Sequence, residues 1–434
     1  MRNRIRGAAG ALRRGRGAPP DPDQYHLSEP LSDADITEIY EGQVLTQEFY
    51  GDAYAPSLTT ELSDAADEMA AAIVETFAPA SVLDVGCGLG QLVVALRRRG
   101  VEAVGCDYSE AFLRLAPADA RPHLHRQDVT ALDDFGDDAF DLVLCMEVLE
   151  HLPVGMIHRC VDEMRRVARG PIVVTTPSFG PNWPGRYGLP LDWPSWREDA
   201  RAGRRFSRIV VAADGRPHHG HLTLAAYGWW TDLFLGHGLV RERDVENAWL
   251  EHPERPLWHH RWNPYVLGAV PSPEYVVGET CTRQGAAGWY PLEAWDDRRA
   301  RWSAGRARLH LRAPSDAPRL EMELWAGPES LLHRRLIEVS ARALPAGPPS
   351  SAVLAVAPGP WHQVVLAGVP AAAGGLVEVT FDVGEPFRPE LMSPGSSDGR
   401  LLGIAVSRVA AADAAGRSPD AALAPVAPVY PVGL

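Results

Sequence analysis

The 434-residue sequence predicts a two-part molecule: an α/β domain on a doubly wound, mostly parallel sheet, then a C-terminal all-β sandwich. Three observations predict it. From Ser63 to Val270, strand-length apolar runs alternate with helix-period segments, the rhythm of a parallel sheet covered on both faces. Beyond Gly288 the period drops to two, with Pro/Gly turns, the pattern of an antiparallel sandwich. The composition, 46% hydrophobic and 23% charged, is that of a globular protein, and the length suits two or three domains.

The elements follow in chain order. Residues 1–38 open with "MRNRIRGAAGALRRGRGAPPDPD", rich in Arg and without an acid before Asp21. No apolar core follows these charges, so the segment does not read as a secretory signal. It reads as a disordered arm or as a contact for anionic lipid headgroups. Residues 39–270 hold the α/β domain. "SDAADEMAAAIVETF" is a helix with Met69, Ile73 and Val74 on one face. "SVLDV" is a buried strand, and "GQLVVALRRRG" a helix ended by Gly100. "VEAVGCD", "LHRQDV", "FDLVLCM" and "GPIVVTTP" supply four more strands, with "EAFLRLA" and "PVGMIHRCVDEMRRVA" as helices between them.

Residues 177–221 break the rhythm with "PSFGPNWPGRYGLPLDWPSW". Its Trp183, Tyr187, Trp193 and Trp196 form either a lid over an acceptor or a small satellite core. The helix "TLAAYGWWTDLFLGHG" and the strands "LVRERDV" and "NPYVLGAV" complete the domain. Residues 271–287 read as a linker. Residues 288–410 supply the sandwich through "ARLHLR", "RLEMELW", "AVLAVA", "WHQVVLA", "LVEVTFDV" and "LLGIAVSRV". The Ala/Pro-rich 411–434 reads as an unstructured tail.

A net charge of -14 repels phosphate backbones and argues against a general nucleic-acid binder. Five scattered cysteines give neither a disulfide framework nor a CxxC metal knuckle, which fits a reducing compartment. No stretch is long and apolar enough to span a bilayer. The expected location is cytoplasmic, at the inner membrane face if the basic arm binds lipid.

The chemistry concentrates in "SVLDVGCGLGQL". A strand, a turn with Gly86, Gly88 and Gly90, then a helix make an anion- and nucleotide-binding arrangement. The dinucleotide fingerprint G-x-G-x-x-G needs a glycine where Gln91 stands, so the ligand is one without a pyrophosphate. Asp107 lies 21 residues after Gly86, near the spacing of an acid that grips ribose hydroxyls. Asp128 in "QDV" offers an acceptor for an adenine amino group. "CMEVLEHLP" follows the fourth strand, at the carboxyl edge where open α/β sheets bind ligands.

The motifs "LDVGCGLG", "GCDYS", "QDV" and "FDLVLCMEVLEHLP" resemble those of class I S-adenosylmethionine (SAM) methyltransferases, over roughly Tyr40 to Val270. The resemblance implies a Rossmann-like, seven-stranded methyltransferase sheet with a reversed last strand, and SAM as cofactor. Gly86 and Gly88 would line its methionine part, Asp107 hold the ribose, Tyr108 pack on the adenine, and Asp128 bind its amino group. Asp84, Gly90, Val129 and Met146 complete the implied cofactor set. The plainer readings are that Asp84 caps or solvates the turn, Tyr108 is a surface aromatic, and Cys87 fills the turn.

If "EVLEHL" begins a helix, Glu147, Glu150 and His151 stand at i, i+3 and i+4 on one face. The stretch resembles the E-x-x-E-H segment of ubiquinone-pathway O-methyltransferases and small-RNA 3′-terminal 2′-O-methyltransferases. That implies a divalent cation (Mg, Mn, Fe or Zn) on Glu147, Glu150, His151 and a later histidine. His221 is the candidate, with His218 and His219 as competitors. Without a metal, His151 is a base or shapes the pocket, Glu147 caps a helix, and His221 supports the pocket mouth. Catalytic candidates are therefore His151, Glu147 and His221. His259 and His260 read as structural or surface residues.

In the second domain, "GWYPLEAWDDRRARWS" and "DGRLLGIAVSRV" resemble β-sandwich modules of bacterial polysaccharide enzymes. That implies a glycan-facing or assembly role. Trp289, Trp295, Trp302, Trp325 and Trp361 are sugar platforms or core anchors. The expected function is SAM-dependent O-methylation of a hydroxyl on a glycan or glycosylated metabolite. The alternatives are an aromatic or polyketide-like small molecule as acceptor, terminal RNA methylation, and a non-catalytic glycan-binding scaffold with a vestigial cofactor fold.

Overall fold

The computed structural model describes residues 25–46, 62–182, 186–187, 189–213, 215–243, 245–246, 264–269, 274–276, 287–290, 293–295, 298–331, 334–344, 347–366, 368–369, 371–392 and 396–412. Among them, no helix is long and apolar enough to cross a membrane.

Part of the segment read as a disordered arm is ordered. Tyr25–Leu27 pairs antiparallel with Val210–Ala212, and α1 spans Asp33–Thr46. Ser32 and Asp35 cap each other's amides: Ser32 N donates to Asp35 Oδ2 at 2.7 Å, and Asp35 N to Ser32 Oγ at 3.2 Å. Arg205 binds Asp33 at 2.7 Å, and Ile36 is buried with Ile209, Val211 and Leu222. The partners lie in, or directly after, the 177–221 insertion, about 170 residues away, so no local pattern announces them.

The α/β domain then runs α2 (Leu62–Phe77), β1 (Ser81–Val85), α3 (Gln91–Arg97), β2 (Glu102–Asp107), α4 (Glu110–Leu115), β3 (Leu124–Arg126), β4 (Leu142–Met146), α5 (Val154–Val167) and β5 (Ile172–Thr175). After the insertion, which carries α6 (Pro194–Arg201), come α7 (Tyr227–Gly236), β6 (Leu239–Arg241) and β7 (Pro264–Ala269). The seven strands stand in the order β6-β7-β5-β4-β1-β2-β3. Strands β1 to β5 pair in parallel, and β7 runs antiparallel to both β5 and β6. Central strands such as β5 bury every residue, because helices cover both faces. Strand β3 is short and ends at Arg126, so Asp128 follows the strand instead of closing it.

In the insertion, Trp196 is buried and stacks on Phe206 at 4.7 Å, with Phe179 and part-buried Trp193 around them. Trp196 thus anchors a satellite core. Trp183 and the Tyr187 ring lie outside the described residues, as do His259 and His260.

Residues beyond 270 are antiparallel strands: β8 (Arg298–Arg312), β9 (Arg319–Trp325), β10 (Arg335–Leu344), β11 (Pro349–Val356), β12 (His362–Leu366), β13 (Leu376–Val383) and β14 (Ala405–Ala412). The order is β11-β10-β13-β8-β14-β9-β12, with β8 pairing to β14 early and to β13 late. Alternate residues from all seven meet in one core, among them Leu309, Met322, Val339, Val356, Val364, Phe381 and Val406. Two readings need correction. Glu274–Val276, inside the expected linker, pairs with β14, and Ala411 and Ala412 of the expected tail belong to β14. The remainder of the tail, and the Trp295 side chain, lie outside the described residues. Trp289 and Trp302 are buried core aromatics, and part-buried Trp325 and Trp361 stack on each other at 5.9 Å.

Candidate functional site

The glycine turn leaves β1 with three left-handed residues: Gly86, Gly88 and Gly90 have φ of 75°, 56° and 74°. A Cβ on Gly86 would lie 2.4 Å from Val148 Cγ2, and one on Gly90 would lie 2.8 Å from Leu124 Cδ2. A Cβ on Gly88 would meet nothing within 4 Å. Packing therefore excludes side chains at the two outer glycines. The middle one faces open space at the carboxyl edge of the sheet.

Asp107, ending β2, holds this turn. Its Oδ2 accepts from Gly88 N at 2.8 Å and its Oδ1 from Ser109 N at 2.8 Å. Burial raises its pKa to about 6 against the pull of these amides. Asp84 is buried beside it; burial first, then the Asp107 charge, raises it to about 7. Asp84 is thus no solvated turn cap. Tyr108 is 43% exposed. Asp128 is exposed, and its Oδ1 accepts from Thr130 N at 2.8 Å and Thr130 Oγ1 at 2.7 Å. The Val129 side chain is buried in the core cluster with Leu149, which leaves its backbone for a ligand. Met146, at the end of β4, is part-buried against the cluster of Leu144 and Val173.

"EVLEHL" does not begin a helix. Glu147 has φ 56°, Leu149–His151 is a single 3₁₀ turn, and α5 starts only after Pro153. The three residues therefore do not share a helical face. Glu147 is drawn to β5 instead: its N donates to Thr175 O at 3.0 Å, and Thr175 Oγ1 donates to its Oε1 at 2.9 Å. Glu150 and His151 turn towards the segment after Gly220. The Glu150 carbonyl accepts from Leu222 N at 2.7 Å and Thr223 N at 3.0 Å, and Thr223 Oγ1 donates to Leu152 O at 2.7 Å. His151 Nδ1 donates to Gly220 O at 3.2 Å. The carbonyl fixes that tautomer and leaves Nε2 as an acceptor.

This stitching brings His221 to His151, with ring centroids 5.2 Å apart. One ligand atom from each of Glu150, His151 and His221 lies within 4.8 Å of the others. Glu147 is not in that group, nor is His218 or His219. Burial drives His151 down to about 4, and burial with the neighbouring histidines drives His221 well below its usual value. Both imidazoles are therefore neutral, the state that ligates metals. Glu150 is fully buried; neither carboxyl oxygen makes a well-formed hydrogen bond, and the Glu147 carboxyl and the Thr176 hydroxyl are the polar side chains that face it. Burial and the Glu147 charge raise its pKa strongly, while burial raises Glu147 to about 7. An orphaned carboxyl beside two neutral imidazoles is a fitting donor set for a divalent cation. Thr175 and Gly220, which orient Glu147 and His151, carry no sequence signal of their own.

Strand order, glycine turn and the acid ending β2 define a Rossmann-like methyltransferase fold. The family described as "Methyltransferase domain" matches residues 82–170, and that stretch is a methyltransferase domain. The ubiquinone biosynthesis O-methyltransferase of Alkalilimnicola ehrlichii is 41% identical over 86 residues, 18% of this chain and 35% of that protein. That of Hahella chejuensis is 40% identical over 77 residues, 17% and 32% of the two chains. The chain thus spans about a third of the length of these relatives. Among solved structures, the 1,6-didemethyltoxoflavin-N1-methyltransferase of Burkholderia thailandensis is 14% identical, with 58% of this chain and 96% of that one covered, at a TM-score of 0.35. A SAM-dependent methyltransferase from Archaeoglobus fulgidus is 20% identical, with 27% and 53% covered and a TM-score of 0.25.

Proposed function

We propose that this protein is a SAM-dependent O-methyltransferase that activates its acceptor hydroxyl at a divalent metal held by Glu150, His151 and His221. The observation that carries it is the orphaned, fully buried Glu150 carboxyl within 4.8 Å of two neutral imidazoles, at the same sheet edge as the glycine turn. The methyltransferase domain over residues 82–170 and the O-methyltransferase relatives support the cofactor and the oxygen acceptor.

Cofactor binding falls to Gly88, open to the crevice, and to Asp107, whose carboxylate retains lone pairs beyond those taken by the turn amides. Tyr108, Asp128 and the Val129 backbone complete the nucleoside side. Methyl transfer needs the acceptor oxygen in line with the sulfonium methyl at about 3–3.5 Å, so alignment is the chain's main contribution. When bound, the cation would fix the acceptor oxygen and lower its pKa. Glu147, titrating near 7 beside Glu150, takes the proton. The acceptor class placed first is a hydroxyl on a glycan or glycosylated metabolite. The aromatic-rich insertion that delivers His221 supports it, since flat aromatic faces suit a sugar ring.

The test is methyl transfer from labelled SAM to nucleotide sugars, lipid-linked oligosaccharides and catechols, with and without chelator. Labelled methyl ethers that vanish on chelation and return with Mn²⁺ support the reading. Full activity in chelator removes the metal. Transfer only to nitrogen or carbon removes the oxygen acceptor, and transfer confined to catechols removes the glycan.

A further inference from the structure

Strands β8, β13 and β10 of the β-rich unit turn one face inward, where Leu309, Phe381 and Val339 meet the core. Their other face is mostly polar, and the pairing register lays its side chains out in rows. Leu344 stands across from Leu376, and this row meets Val240 and Leu235 of the α/β domain. In the next row Glu378 lies between Arg342 and His310. Thr380 then lies between Ser340 and Arg308, and Asp382 between Glu338 and Arg306. Over these rows opens a cavity of about 200 Å³, lined by Arg306, Ala307, Arg308, Arg342, Glu378 and Thr380.

Three guanidinium groups line this cavity against one carboxylate. That carboxylate is already shared. Glu378 accepts from Arg342 Nε at 2.9 Å, and lies 3.2 Å from Arg308 Nη1 and 3.5 Å from His310 Nε2. Arg306 Nε stands 3.8 Å from Asp382, beyond hydrogen-bond reach. The positive charge is thus not cancelled where it converges. Burial lowers the Arg308 pKa even against the pull of Glu378. Guanidinium forks and a hydroxyl are the donors that recognise a tetrahedral oxyanion. The lining holds no aromatic or branched apolar side chain, so it suits a small, strongly charged group.

We propose that this cavity is an oxyanion site that takes a phosphate or sulfate group. Arg306, Arg342 and the Thr380 hydroxyl donate to it, and Arg308 with Glu378 forms its fixed floor. The site belongs to the β-rich unit and stands one row from the contact with the α/β domain. It uses no residue of the glycine turn or of the Glu150, His151 and His221 group, so it stands apart from the methyltransferase reading.

The experiment is calorimetric titration of the full chain with inorganic phosphate, sulfate and glucose 1-phosphate, in chloride buffer at constant ionic strength. The proteins are wild type, Arg306→Gln and Thr380→Val. Both substitutions leave the Arg308–Glu378–Arg342 frame in place, and a melt in chloride checks that each variant is folded. Phosphate and sulfate raise melting temperatures even without binding, so affinity is the readout. Arg306→Gln weakens the anions at least about tenfold, and Thr380→Val about 3- to 10-fold. Glucose 1-phosphate binding more tightly than phosphate assigns the site to a phosphate ester; binding no tighter assigns it to the free ion. Wild type that binds none of the three overturns the proposal, and so does unchanged affinity in either variant.

Discussion

Gly86 and Gly88 look alike in sequence and do different work. At Gly86 an alanine meets both a left-handed φ and Val148 Cγ2, so Gly86→Ala costs about 2–4 kcal/mol of stability. At Gly88 an alanine pays only the backbone strain, about 1–2 kcal/mol, but puts a methyl group into the crevice. Gly88→Ala therefore weakens S-adenosylhomocysteine at least about tenfold, with the smaller loss in a denaturant melt. Equal effects of the two substitutions on binding and stability would contradict this assignment. Asp107 sets a pH dependence. Its folded pKa of about 6 lies above the usual carboxylate value, so the folded chain binds the extra proton and loses stability as pH rises from about 4 through 6. A ribose hydroxyl prefers the ionised form. Cofactor affinity thus rises over pH 5 to 7 and then levels, and Asp107→Asn flattens the profile, as calorimetry at three pH values will read.

At the scale of elements, the 3₁₀ turn Leu149–His151 and the segment after Gly220 make one stitched unit. Glu150 is its stressed member, since a buried carboxyl that makes no well-formed hydrogen bond and faces the Glu147 carboxyl costs folding free energy. Glu150→Gln is therefore as stable as wild type, or more so, in chelator. With added Mn²⁺ only wild type gains melting temperature, as does neither Glu150→Gln nor His221→Ala. A second joint pins α7 to α5: His158 Nδ1 and His237 Nε2 are 2.8 Å apart, and His237 Nδ1 lies 2.6 Å from Asp162. Only one proton fits between the rings. Burial and His237 lower the His158 pKa, so the unfolded chain takes up a proton first and this contribution is lost as pH falls below about 6.5. His158→Gln then costs more at pH 7.5 than at pH 5.5 in denaturant titrations. A pH-independent cost would remove the shared-proton account.

In the whole molecule, the α/β domain and the β-rich unit meet at a small apolar contact. Val240 and Leu376 are buried there, with Leu235 and Leu344 beside them. Leu376→Asp places a charge in this contact and costs about 2–3 kcal/mol. Limited proteolysis then cuts between the units sooner than in wild type. The strands of both units were largely legible, because each period reports which faces are covered. The exception among the longer ones is β10, "RLIEVSARAL". Its exposed Leu336 and inward Ala341 blur the alternation that β9 and β13 display.

The sequence by itself determined the α/β order, the glycine turn, the acid ending β2 and the E-x-x-E-H spacing, because each depends on neighbours within a few tens of residues. Tertiary structure alone decided which of those groups converge. A left-handed Glu147 and Pro153 keep the motif out of a helix, which leaves Glu147 outside the group formed by Glu150, His151 and His221. Hydrogen bonds from Leu222 and Thr223 to the Glu150 carbonyl choose His221 over its neighbours. Pairing across about 180 residues fixes the segment before α1 to the insertion. Such contacts are set by the packing of remote surfaces, which no local spacing encodes.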